Sequence, residues 1–104
     1  MANILQIIPA MPGWRALYTV RDDGMVRLIT HPLVAWGLTE EETRDGTFRS
    51  IEGYDAGSGI VDSCHQQGGF VRYLEPEENP EAYRVEAEEE LLRWERGREK
   101  RTKA

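Results

Sequence analysis

Apolar and polar positions alternate most clearly between Trp14 and Leu38, and this stretch predicts two antiparallel strands followed by a third. Alternation with a period of two is typical of a strand that buries one face. Asp22-Asp23-Gly24 interrupts the alternation with residues that favour tight turns. His31-Pro32 interrupts it again, and because proline has no amide hydrogen to donate, we expect a corner there. The four apolar residues 33–36 then predict a strand that is packed on both faces.

The turn at residues 22–24 allows two registers for this hairpin. A two-residue loop would place Arg27 opposite Val20, whereas a three-residue loop with Gly24 in the left-handed conformation places Val26 there. The three-residue loop separates polar from apolar side chains, so we expect that register. One face then carries Trp14, Ala16, Tyr18, Val20, Val26 and Leu28, and the other carries Arg15, Leu17, Thr19, Arg21, Met25, Arg27 and Ile29. The second face is half apolar and is therefore suited to being covered by another element.

The rest of the chain predicts more short strands and one helix. We expect strands at residues 3–8, 48–54, 60–64 and 70–74, with the last two paired, and a loop or a single helical turn at 39–42. Asn79-Pro80 is a favoured helix start, and the helix should occupy residues 79–100. The sequence therefore predicts an α+β fold, in which a small antiparallel β-barrel or strongly twisted meander sheet of about six strands precedes one C-terminal α-helix. Residues 1–104 would form a single domain, with the sheet in residues 1–76.

The predicted helix carries two apolar rows. The wider row consists of Tyr83, Ala87, Leu91 and Trp94, and its spacing is typical of a face that packs on a core. Val85 and Leu92 are seven residues apart and lie on nearly the opposite side, close to Glu88 and Glu89. This narrow row has two interpretations. Its members are ordinary surface residues, or they form a contact face for a protein partner or a second copy of the chain.

The charge distribution disfavours general nucleic-acid binding. The chain has a net charge of −6, with −7 in residues 75–90 and +4 in residues 91–104. An acidic protein lacks the cations that neutralise phosphates. The acidic run has two interpretations, a solvated helix face or a mimic of a phosphate backbone that occupies a basic site on another protein.

Cysteine content and the lack of targeting signals are the sequence features that bear on cellular location. A single cysteine permits no intramolecular disulfide, which favours a reducing cytoplasm. Neither a signal sequence nor a membrane-spanning segment is evident.

The candidate chemical groups do not assemble into a predicted active site. Cys64 and His65 are neighbours on a predicted strand, so their side chains should point to opposite faces. His31 has no hydroxyl or carboxylate near it in sequence, and Gly57-Ser58-Gly59 is followed by a strand where a phosphate loop would open a helix. We therefore predict a protein that is not an enzyme and has no catalytic residue, metal or cofactor.

Three arginines support an alternative function. Arg15, Arg21 and Arg27 share a face in the expected register, with aromatic residues nearby. Small barrels bind single-stranded nucleic acid with such combinations of cations and aromatic rings. The patch is small, and lysine is absent from the first 99 residues.

Three runs of sequence resemble a known group of proteins. They are Pro12–Tyr18, His31–Leu38 and Gly69–Leu74. In these runs the chain resembles small β-rich proteins of actinobacteria and their phages, a group without an assigned function. The resemblance covers residues 3–74 and offers no catalytic residues to carry over. It implies the setting of a phage or a mobile element.

These observations favour a small, non-enzymatic accessory protein that binds a protein partner. The predicted contact residues are Val85, Glu88, Glu89 and Leu92 on the acidic helix. A homodimer through the same helix is an alternative use of this face. A single-strand nucleic-acid binder that uses Arg15, Arg21 and Arg27 is the alternative function.

Overall fold

Six strands and one helix make up the part of the chain that a computed structural model describes, which is the backbone of residues 3–102 and the side chains of residues 3–98. Short 3-10 turns cover Cys64–Gln66 and Pro80–Tyr83. The strands and the helix are β1 (Asn3–Pro9), β2 (Arg15–Asp22), β3 (Met25–Thr43), β4 (Gly46–Asp55), β5 (Asp62–Ser63), β6 (Phe70–Leu74) and α1 (Arg84–Thr102).

The long strand β3 connects the two halves of the sheet. Residues 25–32 of β3 pair with β2, and residues 33–43 pair with β4 and, along 35–40, with β1. β6 extends the sheet beyond β2, and β5 extends it beyond β4. The pairing of β3 with β4 is irregular between Leu33 and Ala35, where β3 passes from one half of the sheet to the other.

The predicted fold class is confirmed, with an antiparallel six-stranded sheet and one C-terminal helix in the described chain. The sheet order runs from β5 through β4, β3 and β2 to β6, and the two end strands do not pair. The sheet is therefore open, and closure into a barrel is not confirmed.

The register predicted for the first hairpin is wrong. Asp22 pairs with Met25 and Val20 pairs with Arg27, so the loop contains two residues. Asp23 and Gly24 both have positive φ, at 53° and 80°. This is the turn that Asp-Gly favours in a two-residue hairpin, because its twist matches that of the strands. The local turn chemistry determines the register here, and the separation of polarity does not.

The corner predicted at His31-Pro32 is not a strand end, because β3 continues through it. The Leu33 amide donates to the Trp14 carbonyl on the β2 side at 2.9 Å. Alternation along the strand then points the Pro32 nitrogen to the other side, where the β4 pairing ends at Leu33–Asp55. No hydrogen-bond donor is needed at that position, so the proline is tolerated. Residues 39–42 also belong to β3 and form no helical turn.

The predicted pairing of residues 60–64 with 70–74 is also wrong. Only Asp62 and Ser63 form a strand in the first segment, and they pair with β4. β6 pairs with β2 instead, with Leu74 opposite Arg15 and Tyr73 opposite Ala16. Cys64 begins a 3-10 turn that leads the chain from its pairing with β4 to its pairing with β2.

The β2–β6 half of the sheet is covered on both faces. One face contributes to an aromatic core around Ala16 and Tyr18, in which Trp14 meets Trp36 edge-on at 5.6 Å. The other face lies under α1. The fully buried side chains of this second layer are Leu17, Leu74, Ala87 and Leu91. The helix therefore covers the half-apolar face of the first hairpin.

Candidate functional site

The outward face of α1 carries the predicted contact residues. Val85 is 70% exposed and Leu92 is 45% exposed, while Ala87 and Leu91 on the inner row are buried. Glu88 and Glu89 are exposed beside them. Residues seven apart are about 10.5 Å apart along a helix axis, so the two apolar side chains mark one face over two turns. All four predicted residues lie on this face, which we call the outer helix face.

The helix begins where the sequence predicts. The Asn79 side chain accepts a hydrogen bond from the Glu81 amide at 3.1 Å, and Pro80 occupies the first helical position. The first turn is a 3-10 turn, and the α-helix continues from Arg84. This capping fixes the helix direction and therefore the orientation of the outer helix face.

Arginines from the sheet hold the helix and the segment before it. The Arg15 guanidinium donates to the carbonyl oxygens of Glu75 and Glu78, at 3.0 and 2.6 Å. Arg21 forms a two-pronged ion pair with Glu95, at 2.9 and 3.0 Å. These contacts hold the row that contains Ala87 and Leu91 against the sheet, and they leave the outer helix face free of the sheet.

The predicted arginine face is wrong. Arg15 and Arg21 share the face of β2 that lies under the helix, whereas Arg27 lies opposite Val20 and so on the other face. Arg27 forms an ion pair with Asp22 at 3.1 Å. Each of the three guanidinium groups already has an acceptor within the chain. The structure therefore does not bring them together as a nucleic-acid site.

Half of the eight carboxylates in residues 75–90 have a partner within the chain, and among them Glu78 accepts from the Tyr83 hydroxyl. Glu86 pairs with Arg72 at 3.1 Å, Glu81 with Arg84 at 2.7 Å, and Glu90 with Arg93 at 2.5 Å. Glu88 and Glu89 form no ion pair among the described side chains. The exposed Glu75 and Glu77 also form no ion pair among the described side chains, so the outer helix face carries two of the four carboxylates of this run that are available to a partner.

The main polar cluster inside the fold surrounds Asp55, which the sequence analysis missed. Asp55 ends β4 and is fully buried. Its carboxylate accepts from the Tyr18 hydroxyl at 2.5 Å and the Cys64 thiol at 3.3 Å. It also accepts from the Gln67 side chain at 3.2 Å and the Gly57 amide at 3.0 Å. The last contact is an Asx-turn, for which Asp followed two residues later by Gly is a usable sequence signal.

The pKa shifts of the groups in this cluster indicate a structural role. Burial alone would raise the pKa of the Asp55 carboxyl, but the hydrogen bonds from Tyr18, Gly57 and Gln67 lower it below its ordinary value. Burial raises the pKa of the Cys64 thiol to about 12. Burial and the bond to Asp55 raise the pKa of Tyr18 as well. The thiol is therefore protonated at neutral pH and is not a nucleophile.

The two histidines and the glycine-rich loop have packing roles. The ring of His31 meets that of Tyr18 at 5.1 Å and lies against Gly57, where an added Cβ would come within 2.6 Å of it. His65 is exposed and packs on the rings of Phe70 and Tyr73, away from the buried Cys64. No set of three possible metal-ligating side chains was found among the described residues.

The second exposed apolar surface lies on three strands, and sequence reasoning did not single it out. We define the arm as β1, residues 35–43 of β3 and residues 46–53 of β4, which pair side by side. One of its faces contains a shallow groove of about 190 Å³. The exposed large apolar residues of the arm are Ile4, Leu5, Ile7, Ile8, Phe48 and Ile51. The available signal was the first strand itself, which is apolar on both faces and carries no charge.

Within the described residues, no helix combines the length and the apolar character needed to cross a membrane. Comparisons of the chain with protein-family models, with curated proteins and with solved structures each gave no significant match.

Proposed function

We propose that this chain is a small, non-enzymatic accessory protein that binds a protein partner through the outer helix face. The observation that carries the proposal is the exposure of Val85 and Leu92 on a helix whose opposite row packs on the sheet, with Ala87 and Leu91 buried. A docked helix with a second apolar row suits insertion into a groove of another protein.

The chemistry of the outer helix face indicates the kind of partner. Two aliphatic side chains lie two turns apart, and the carboxylates of Glu88 and Glu89 lie beside them without an ion pair among the described side chains. A complementary site would be an apolar groove with lysine or arginine along its rim. Opposite charges at the rim would speed association and fix the orientation of the helix.

The setting of this activity is also a proposal. The resemblance of residues 12–18, 31–38 and 69–74 to proteins of actinobacteria and their phages supports a phage or mobile-element accessory protein. The single cysteine supports the reducing cytoplasm. The proposal assigns no catalytic step and no cofactor.

Capture from host lysate with matched variants tests the proposed function. The test variants are Leu92→Glu and the double charge reversal Glu88→Lys, Glu89→Lys. Met25→Glu is the control, because Met25 is 73% exposed at the hairpin turn and pairs with Asp22, which places its side chain on the face of the hairpin that α1 does not cover. We expect a protein captured by the wild type and by Met25→Glu to be recovered at least about tenfold less with either test variant. Equal recovery with all folded variants would overturn the proposal.

A further inference from the structure

The arm exposes an unusually apolar edge strand. Ile7 is 60% exposed, and every residue of β1 is exposed although the strand is regular enough to pair with β3. β1 pairs with no other strand of the described chain, so its second backbone edge is available. Unpaired backbone groups on such an edge are a template for another strand.

The usual protections of an edge strand are weak here. Charged side chains are the commonest protection, and the chain is 31% charged overall, yet β1 contains no charged residue. A bulge at Leu5 and the proline at position 9 are its only blocking features. They leave Gln6 to Ile8 as the central part of the edge.

The composition of β1 fits a second copy of itself. In an antiparallel self-pairing, each residue of β1 lies opposite another residue of the same strand, and like charges placed in that way would repel. Because the strand contains only apolar residues, asparagine, glutamine and proline, no register brings like charges together. The net charge of −6 opposes the approach of two copies elsewhere on the surface.

The placement of acidic groups favours the antiparallel direction. Asn3 lies opposite Glu40, near the tip of the arm, and Pro9 lies opposite Ala35, near the core. The tip, residues 40–45, contains four acids and one arginine. Antiparallel pairing of two β1 strands keeps the two acidic tips at opposite ends, whereas parallel pairing would place them side by side.

We propose that two copies of the chain associate through β1, antiparallel, so that the two arms join into one continuous sheet. The edge is about 23 Å long at ~3.3 Å per residue, and a contact confined to one such strand from each copy buries less than the roughly 1,200–2,000 Å² of a standard interface. The dimer is therefore in concentration-dependent equilibrium with the monomer. This contact is independent of the outer helix face, which stays exposed in both copies.

Sedimentation velocity of the full chain, over about a hundredfold concentration range, tests the contact. We expect the wild type to shift from monomer to dimer, and Ile7→Glu to raise the dissociation constant at least about tenfold, because it places two carboxylates at the pairing edge. Val85 on α1 is also aliphatic and is 70% exposed, and Val85→Glu should leave the constant unchanged. A wild type that stays monomeric throughout, or a dimer lost in Val85→Glu and kept in Ile7→Glu, would overturn the proposal. Superimposable circular dichroism spectra establish that the variants are folded.

Disulfide trapping tests the direction of pairing. Gln6→Cys, Ile7→Cys and Ile8→Cys are oxidised separately with copper phenanthroline, and Val85→Cys is the control. The natural Cys64 is fully buried and does not compete. Equal residues meet only at the twofold axis of an antiparallel pair, so we expect one of the three positions to form covalent dimer at least about tenfold faster than the control. Equal rates at all three positions, or none above the control, would overturn antiparallel pairing.

Discussion

Asp55 joins three parts of the chain that are distant in sequence. Its carboxylate receives hydrogen bonds from Tyr18 on β2, from Cys64 and Gln67 around the 3-10 turn, and from the Gly57 amide. A buried charge is costly unless it is well hydrogen-bonded. With four donors converging on it, the carboxylate fixes the position of the 3-10 turn against the sheet.

Asp55→Asn should therefore destabilise the fold strongly. The amide nitrogen would face a donor, and at least one buried hydroxyl, thiol or amide would lose its acceptor. We expect the free energy of unfolding to fall by about 3 kcal/mol at neutral pH, measured by urea denaturation followed by tryptophan fluorescence. Asp23→Asn in the exposed turn is the control, because asparagine tolerates the positive φ found there.

The same variant should change the response to acid. The pKa of Asp55 is lower in the folded state than its ordinary value, so its contribution to stability is complete above the unfolded value of about 3.9 and is lost as pH falls through the folded value. Between about pH 5 and pH 7 the difference between wild type and Asp55→Asn should stay constant, and it should shrink at lower pH. A difference that grows on acidification would contradict this assignment.

At the scale of single elements, α1 has one row that stabilises the fold and one that does not. Leu91 is 1% exposed and its neighbour Leu92 is 45% exposed. Leu91→Ala should lower the free energy of unfolding by about 2–4 kcal/mol because it leaves a cavity against the sheet. Leu92→Ala should change it by less than about 0.5 kcal/mol. Thermal and urea denaturation compare the pair directly, and similar losses in both would mean that the outer helix face is not free.

The elements show what local sequence can and cannot determine. The helix, its Asn79 cap and its two apolar rows follow from periodicity and capping chemistry, and these predictions are confirmed. The hairpin register was misjudged because polarity was expected to separate across β2. Leu17 and Thr19 on its second face are buried under α1, and a sequence does not reveal which distant element covers a strand. The pairing of β6 with β2 depends on the same long-range contacts.

The candidate surfaces also differ in whether local sequence is enough to predict them. The outer helix face was identified from residues seven apart on one element. The Asp55 cluster requires Tyr18, Asp55 and Cys64 to meet across the fold, and the arm requires β1 and β4 to pair with the two edges of β3. No spacing within one segment encodes either arrangement, so both became visible only with the tertiary structure.

At the scale of the whole molecule, the two proposed contacts lie on different halves of the sheet. α1 packs on β2 and β6, whereas β1 lies along the far half of β3. A dimer joined through β1 would therefore display two outer helix faces at once. Bivalent display strengthens binding to a partner that is itself clustered or dimeric.

Self-association also predicts how heat stability depends on concentration. A contact made only by the folded protein raises the thermal midpoint as protein concentration rises. We expect the midpoint of the wild type to increase by a few degrees over about a hundredfold range of concentration, and the midpoint of Ile7→Glu to stay constant. Differential scanning fluorimetry measures both, and a constant wild-type midpoint would contradict folding coupled to dimerisation.

The continuity of β3 determines where this chain can be divided. A break within β3 would separate residues that pair with β2 from residues that pair with β1 and β4. A break between Ser58 and Gly59, in the loop after β4, interrupts no strand. It also keeps both strands of the first hairpin in one fragment. Two fragments split at that loop, one with the first four strands and one with β5, β6 and α1, retain matching surfaces for reassembly. The loop is therefore the natural position for a split-protein reporter.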